Sequence, residues 1–212
     1  MPEDIQKTNG LDRDTGSIRG ARAAPPRLRT DECPIEALYE EHFNQRQLCA
    51  DMDLLAATTL PRPERAKRVL INLCRDLPAH LKDEEQGLFP RLRVRALPED
   101  DLEPMLAWLA REHEAAQQAR ALLVLALACM ADGALPAPED REALRHLAAS
   151  GRRHLIVENA ILLPLARLRL TAEDKRALMA EMCASRALAP DPDTPCAWAL
   201  ARIGILAPEE NA

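Results

Sequence analysis

The chain has 212 residues, a formal net charge of −6 and an isoelectric point near 5.5. Hydrophobic residues make up 47% of the chain but aromatic residues only 2%, so the core must consist of Leu, Ala, Ile, Val and Met, which favours helices over strands. The acidic balance argues against a basic nucleic-acid-binding face, and the longest apolar run, residues 121–131, is too short to cross a bilayer. We therefore expect an all-α protein that binds neither nucleic acid nor a membrane.

The predicted elements follow from the positions of prolines, capping residues and apolar periodicity. Residues 1–33 are polar without periodicity and are predicted to form a disordered tail. The predicted helices span residues 34–58, 64–94, 101–130, 139–168 and 171–185. Short loops between the first four predict an up-down-up-down antiparallel four-helix bundle over residues 34–170.

Two further features complete the predicted organisation. Prolines at 78, 90 and 164 fall inside the second and fourth helices and should kink or interrupt them. Residues 171–212 are expected to form a C-terminal helix and a Pro-rich flexible tail, whose apolar segment 196–207 docks on the bundle or on another subunit. This segment is therefore a candidate surface for a protein partner or a homo-oligomer.

The chain shows no apolar N-terminal signal segment, and its six cysteines form no Cys-x-x-Cys pair. In a chain of this length such cysteines are typical of reduced thiols. We expect a cytoplasmic protein.

One phrase occurs twice, as HLKDEEQGLFP at residues 80–90 and as HLIVENAILLP at residues 154–164. The interval from His80 to His154 equals the interval from Glu84 to Glu158. His42 in EEH and His113 in REH are separated by almost the same interval. The second half is therefore a degenerate copy of the first, with one of these four histidines on each long helix. The fifth histidine, His146, has no counterpart and is expected at the surface.

The repeated pattern predicts a dinuclear metal centre. Residues four apart stand one above the other on a helix, so His80 shares a face with Glu84 and His154 with Glu158. Two carboxylates facing each other among apolar residues are costly unless a positive charge lies between them, and a pair of metal ions supplies that charge. Nitrogen and oxygen ligands without thiolate suit Fe, Mn or Zn.

Counting ligands leaves an exchangeable position. Four imidazoles and two bridging carboxylates supply eight contacts, and an oxo or hydroxo bridge adds two more. Two octahedral metals then keep about one open position each, where a small molecule would bind. The mixed His/carboxylate set points first to two iron ions, with Mn or Zn as alternatives.

These residues resemble the hemerythrin family, in its HHE cation-binding branch. The resemblance covers about residues 35–168 and rests on EEH (40–42), HLKDEEQGLFPRL (80–92), REH (111–113) and HLIVENAILLP (154–164). It implies a four-helix bundle with two irons bridged by oxygen and carboxylates. It further implies the terminal ligands His42, His80, His113 and His154 and the bridging ligands Glu84 and Glu158. Ferritin-like di-iron bundles fit less well, because they use four Glu in a Glu-x-x-His order.

The chain departs from the oxygen-carrying hemerythrins at Gln117, where those proteins have a further metal-binding His. The resemblance thus implies a more open shell on one iron, and relatives with this pattern include oxygen or redox sensors, nitric-oxide-responsive proteins and iron–sulfur repair proteins. Tyr39 and Cys49, on the face of His42, either reach the centre or pack in the core. Four carboxylates flank ligands, and they either orient them, fill a vacant coordination position, line a channel or are solvated: Glu41, Glu85, Glu112 and Glu114.

Three functions remain open from the sequence. The first is a di-iron protein that binds O2, NO or peroxide for sensing, stress protection or iron handling. The second is an oxidase or peroxidase that uses the same centre. The third is a regulatory or structural module in which the metal, such as zinc, only stabilises the bundle and the C-terminal segment binds a partner.

Overall fold

The computed structural model describes residues 28–186 and 194–205, and every regular element within these two ranges is helical. The main helices are α1 (Pro34–Ala57), α2 (residues 63–95), α3 (Leu102–Ala131), α4 (residues 138–169), α5 (Ala172–Ser185) and α6 (Pro195–Arg202). The predicted all-α fold is confirmed, and the predicted helix bounds agree with the observed ones to within a few residues.

Helix α1 begins at Pro34, whose fixed φ suits the first turn of a helix, and ends before the extended Thr58. Its terminal carbonyls receive hydrogen bonds from α4, because Nη1 of Arg141 donates to the backbone oxygens of Ala56 and Thr58 at 2.8 Å each. These bonds satisfy carbonyls near a helix end that lack partners within the helix, and they tie the end of α1 to the start of α4.

The composite helices α2 and α4 contain π-helical turns, each of which ends two residues before a proline. The turns and their prolines are Asn72–Asp76 with Pro78, Asp83–Leu88 with Pro90, and Glu158–Leu162 with Pro164. Proline lacks an N–H group, and its ring clashes with the carbonyl four residues earlier; a wider turn accommodates both. The predicted interruptions are therefore local widenings, and the chain stays helical through them.

The four long helices form a closed ring of neighbours, since α1 packs against α2 and α4, and α3 packs against the same two helices. Two apolar clusters fill the bundle, and each long helix contributes to both: in α1, Ile35 and Leu38 belong to one cluster and Leu48 and Met52 to the other. Between these apolar stretches each helix carries at least one buried polar residue. The core is thus divided into two apolar layers with a polar layer between them. The up-and-down order of the helices stays a prediction.

Helix α5 begins with a capping box, in which Oγ1 of Thr171 accepts from the backbone N–H of Asp174 at 3.1 Å and the Asp174 carboxylate accepts from the backbone N–H of Thr171 at 3.0 Å. This start was predicted from the TAED sequence. The helix packs against α1 and against the π-helical turn Asp83–Leu88. Gly87 permits this approach, because a Cβ at that position would lie 2.6 Å from Cδ1 of Leu178.

Helix α6 packs against α2 and α3, with Ala199 and Leu200 buried in the core cluster of Leu48 and Met52. The apolar C-terminal segment therefore contacts the bundle, which is one of the two positions expected for it. Most of the predicted tail over 1–33, together with residues 187–193 and 206–212, lies outside the described residues. None of the helices in the described ranges combines the length and hydropathy that a membrane span requires.

Candidate metal centre

The six residues singled out by the sequence lie together in the polar layer. They form two groups whose nitrogen and oxygen atoms lie within 4.8 Å of one another, and both groups contain Glu84 and Glu158. His42 and His80 complete one group, and His113 and His154 complete the other. The two groups correspond through the repeat: His42 matches His113, His80 matches His154, and the two glutamates match each other.

Each carboxylate directs one oxygen toward each histidine pair. In Glu84, Oε1 lies 3.5 Å from Nε2 of His80 and Oε2 lies 3.4 Å from Nε2 of His113. In Glu158, Oε2 lies 3.5 Å from Nε2 of His42 and Oε1 lies 2.8 Å from Nε2 of His154. This is the arrangement that two carboxylates bridging two cations require.

Most of the atoms that face the middle of the centre lack hydrogen bonds of ordinary geometry, although Nε2 of His113 and Nε2 of His154 lie 3.0 Å apart. Within the described ranges such bonds are absent for both carboxylate oxygens of Glu84 and Glu158 and for Nε2 of His42 and His80. Both glutamates are 0% exposed, and a buried ionised carboxylate without a partner is strongly unfavourable. A donor set of imidazole nitrogens and carboxylate oxygens, buried and unsatisfied, fits a pair of metal ions.

The other ring nitrogen of three histidines is held by an acceptor. Nδ1 of His42 donates to Oδ1 of Asn159 at 3.0 Å, and Nδ1 of His80 donates to Oε2 of Glu41 at 2.9 Å. Nδ1 of His113 donates to Oε1 of Glu85 at 2.8 Å. A proton fixed on Nδ1 leaves the lone pair of Nε2 directed into the centre, where a metal would bind.

Sequence reasoning left open whether Glu41 and Glu85 orient ligands, and it missed Asn159. The signal was present in the repeat, since Asn159 directly follows Glu158 just as Glu85 directly follows Glu84. The sequence also missed two aromatic neighbours, because they are distant along the chain. Phe89 stacks on His113 and Trp108 on His154, with ring centroids 5.9 and 6.0 Å apart.

The two histidines of one pair differ in their protonation. Burial, together with the charge of His80, lowers the pKa of His42 to about 4. Burial also acts against the charged form of His80, but the carboxylates of Glu84 and Glu41 outweigh it and raise the pKa of His80 to about 9. At neutral pH without metal, His80 therefore carries a proton that metal binding at Nε2 would displace.

A cavity of about 50 Å³ adjoins His113 and His154 on the side of the core cluster that contains Leu48 and Met52. Its wall is mostly apolar but includes Ser150 and Glu112, whose side chains are hydrogen-bonded to each other at 2.5 Å. Nδ1 of His154 is buried and has no hydrogen-bond partner among the described residues. Free space therefore adjoins the His113/His154 side of the centre.

The structure also shows the positions of four other residues that the sequence singled out. Gln117 is exposed, so it does not replace the missing histidine, and His146 is exposed as predicted. Tyr39 donates from its hydroxyl to the backbone oxygen of Asn159 at 3.4 Å, beside the centre but outside both groups. Cys49 is buried in the cavity wall, and burial raises the pKa of its thiol to about 11, which keeps it protonated.

A model of the hemerythrin HHE cation binding domain matches residues 33–166, more than half of the chain. The chain therefore belongs to the hemerythrin HHE family. A search of curated proteins and a search of solved structures each gave no match. The matched segment contains the whole candidate centre and ends before α5 begins.

Proposed function

We propose that this protein holds a non-haem di-iron centre and binds O2, NO or hydrogen peroxide for sensing, stress protection or iron handling. One observation carries the proposal: the two His/Glu groups share both carboxylates, and each carboxylate directs one oxygen toward each histidine pair. The proposed terminal ligands are His42, His80, His113 and His154, and the proposed bridges are Glu84 and Glu158.

Iron is proposed because the donor set is mixed imidazole and carboxylate without thiolate. Mn and Zn accept the same atoms, so metal analysis must decide between them. Bound iron would supply an exchangeable coordination position together with one-electron chemistry. The protein supplies the rest: hydrogen bonds that orient the imidazoles, burial that excludes water, and carboxylates that balance the metal charge.

The small ligand is proposed to bind on the His113/His154 side. The cavity beside these residues measures about 50 Å³, whereas about 10–15 Å³ on the same measure holds one water molecule. A diatomic molecule or a peroxide fits such a space, and a larger organic substrate does not. The apolar wall favours a weakly hydrated ligand such as O2 or NO.

An enzymatic function, reduction of peroxide at the same centre, is the second candidate. It is favoured by Ser150 and Glu112, which place a hydroxyl and a carboxyl group in the wall of an otherwise apolar cavity. Such groups are suited to moving a proton to a bound ligand. Turnover of hydrogen peroxide by the iron-loaded protein distinguishes this candidate from reversible binding.

We also propose a reducing compartment such as the cytoplasm. All six cysteines are free thiols, and reduced thiols in this number are typical of proteins kept in a reducing environment.

The test is metal quantitation combined with the optical spectrum of the air-exposed protein, before and after addition of azide or NO. We expect about two irons per chain, a near-ultraviolet charge-transfer band, and a change of that band on ligand addition. One tightly bound zinc with no iron would instead support a metal-stapled module and exclude the dinuclear proposal.

A further inference from the structure

Two equivalent carboxylates in the two halves have different partners. Glu41 and Glu112 occupy matching positions of the repeat, since each directly precedes a candidate ligand. Oε2 of Glu41 accepts from Nδ1 of His80 at 2.9 Å. Glu112 accepts instead from the Ser150 hydroxyl, and Nδ1 of His154 has no hydrogen-bond partner in the described part of the chain. Both histidines of the His42/His80 pair are therefore held at Nδ1, whereas in the other pair His113 is held by Glu85 and His154 is not held.

Arg186, at the C-terminal end of α5, accounts for the position of Glu41. Its Nη2 donates to Oε1 of Glu41, and its Nη1 donates to Oδ2 of Asp83 and to the backbone oxygen of Met182. Ser185 donates to the other oxygen of Asp83 at 2.9 Å. Glu41 and Asp83 are both buried, so a single guanidinium balances two buried carboxylates and fixes the geometry of both.

The second half has no equivalent of this arrangement. Val157 directly precedes Glu158, as Asp83 precedes Glu84, and so offers no carboxylate to an arginine. In the same register Ser150 corresponds to Asp76. An ionised Asp76 cannot donate to Glu41 as Ser150 donates to Glu112. The repeat is thus broken at the positions that decide which partner each glutamate takes.

We infer that Arg186 is a positioning residue that holds Glu41 against His80, and that it makes the His42/His80 half the tightly binding half of the centre. The His113/His154 half, whose Glu112 is bonded to Ser150 beside the cavity, is the more weakly held and ligand-accessible half. Helix α5 lies beyond the segment matched by the family model, and through Arg186 it then helps to position a metal ligand. The inference rests on the proposed metal centre and adds to it a difference between its two halves.

The test isolates the two halves and measures iron(II) affinity by competition with a chelator. His113→Ala leaves the His42/His80 site, and His42→Ala leaves the His113/His154 site. Arg186→Gln should weaken iron binding in the His113→Ala background by about 10–100-fold, the usual effect of losing a group that orients a metal ligand. The same substitution should change the affinity in the His42→Ala background by less than about twofold.

Two further variants separate positioning from simple helix docking. Arg91→Gln is the matched control, because Arg91 pairs with Glu181 of the same helix α5 and its side chain is 18% exposed, compared with 22% for Arg186. It should leave both affinities unchanged. Arg186→Lys keeps the charge but loses the two-pronged geometry, so it should recover part of the affinity. In a Glu41→Gln background, Arg186→Gln should cause little further loss.

The outcomes are distinguishable. Equal weakening of both halves by Arg186→Gln, or an equal effect of Arg91→Gln, would overturn the inference and reduce Arg186 to a docking residue. An iron affinity in the His113→Ala, Arg186→Gln double variant equal to that of the His113→Ala single variant would also overturn it. Two irons in the wild type would in that case leave the proposed function standing. A wild-type protein without a dinuclear centre would overturn both the proposed function and the inferred role of Arg186.

Discussion

At the scale of single residues, each candidate histidine ligand is held by at least one neighbour outside the centre. The Nδ1 atoms of His42, His80 and His113 are bonded to acceptors, and His113 and His154 lie against aromatic rings. These contacts restrict the rotation of the imidazoles and leave the Nε2 atoms directed at Glu84 and Glu158. A site held in this way binds metal with little reorganisation.

The roles of terminal and bridging ligands make a first prediction. His42→Ala should leave close to one metal per chain, because it removes one nitrogen from one metal. Glu158→Ala should lose most of both metals and the optical band, because it removes an oxygen from each metal and a negative charge from between them. Metal content of the two variants, prepared side by side, is the measurement. Two metals in Glu158→Ala and none in His42→Ala would reverse the assigned roles.

The cavity makes a second prediction. Ala116 lines it, whereas the neighbouring Ala115 faces solvent on the same helix. Ala116→Val should weaken azide binding about tenfold, since this corresponds to about 1.4 kcal/mol, within the usual overpacking cost of about 1–3 kcal/mol.

Ala115→Val is the matched control, because both variants carry the same small loss of helix propensity. It should bind azide like the wild type, and both variants should keep their metals. Equal azide affinities for the two variants would place the ligand elsewhere.

At the scale of elements, the helix ends were predictable because they depend on local chemistry. Pro34 begins α1, and Thr171 with Asp174 begins α5, as their sequence positions indicate. The π-helical turns were not predicted. A proline within a helix shows that the regular hydrogen bonding is disturbed, but not whether the helix kinks, breaks or widens. The helical spacing and the repeat identified the six candidate ligands. Arg186 was not predicted, because its partners lie 145 and 103 residues away along the chain.

The capping box of α5 makes a third prediction. Thr171→Ala removes the acceptor for the backbone N–H of Asp174 and should lower the free energy of unfolding by about 1 kcal/mol. Thr171→Ser keeps the acceptor and should unfold at nearly the wild-type denaturant concentration. Denaturant midpoints measured by circular dichroism provide the comparison, and identical midpoints for the Ala and Ser variants would show that the cap contributes nothing.

At the scale of the whole molecule, the layer of buried polar side chains, which is costly to bury, lies between two apolar clusters. Hydrophobic residues at either end bury the layer and keep water out, while the carboxylates of Glu84 and Glu158 remain without hydrogen bonds of ordinary geometry. The folded protein without metal therefore bears a cost that metal binding removes. Stability and the proposed metal binding are then linked through the same six side chains.

Metal removal consequently makes the last prediction. Each metal ion that binds the folded state alone adds about 4 kcal/mol of stability when its free concentration is a thousand times its Kd. For a chain of this size, each kcal/mol shifts the melting temperature by about 2–4 °C. Loss of one ion should therefore lower the melting temperature by about 8–16 °C, and loss of both by about 16–32 °C. Differential scanning calorimetry before and after chelation, and again after reloading with iron(II), measures the shift. His146→Ala, at an exposed histidine outside the centre, should show the full shift, whereas Glu158→Ala should show almost none. Equal melting temperatures for loaded and metal-free wild-type protein would count against the six residues of the polar layer as metal ligands.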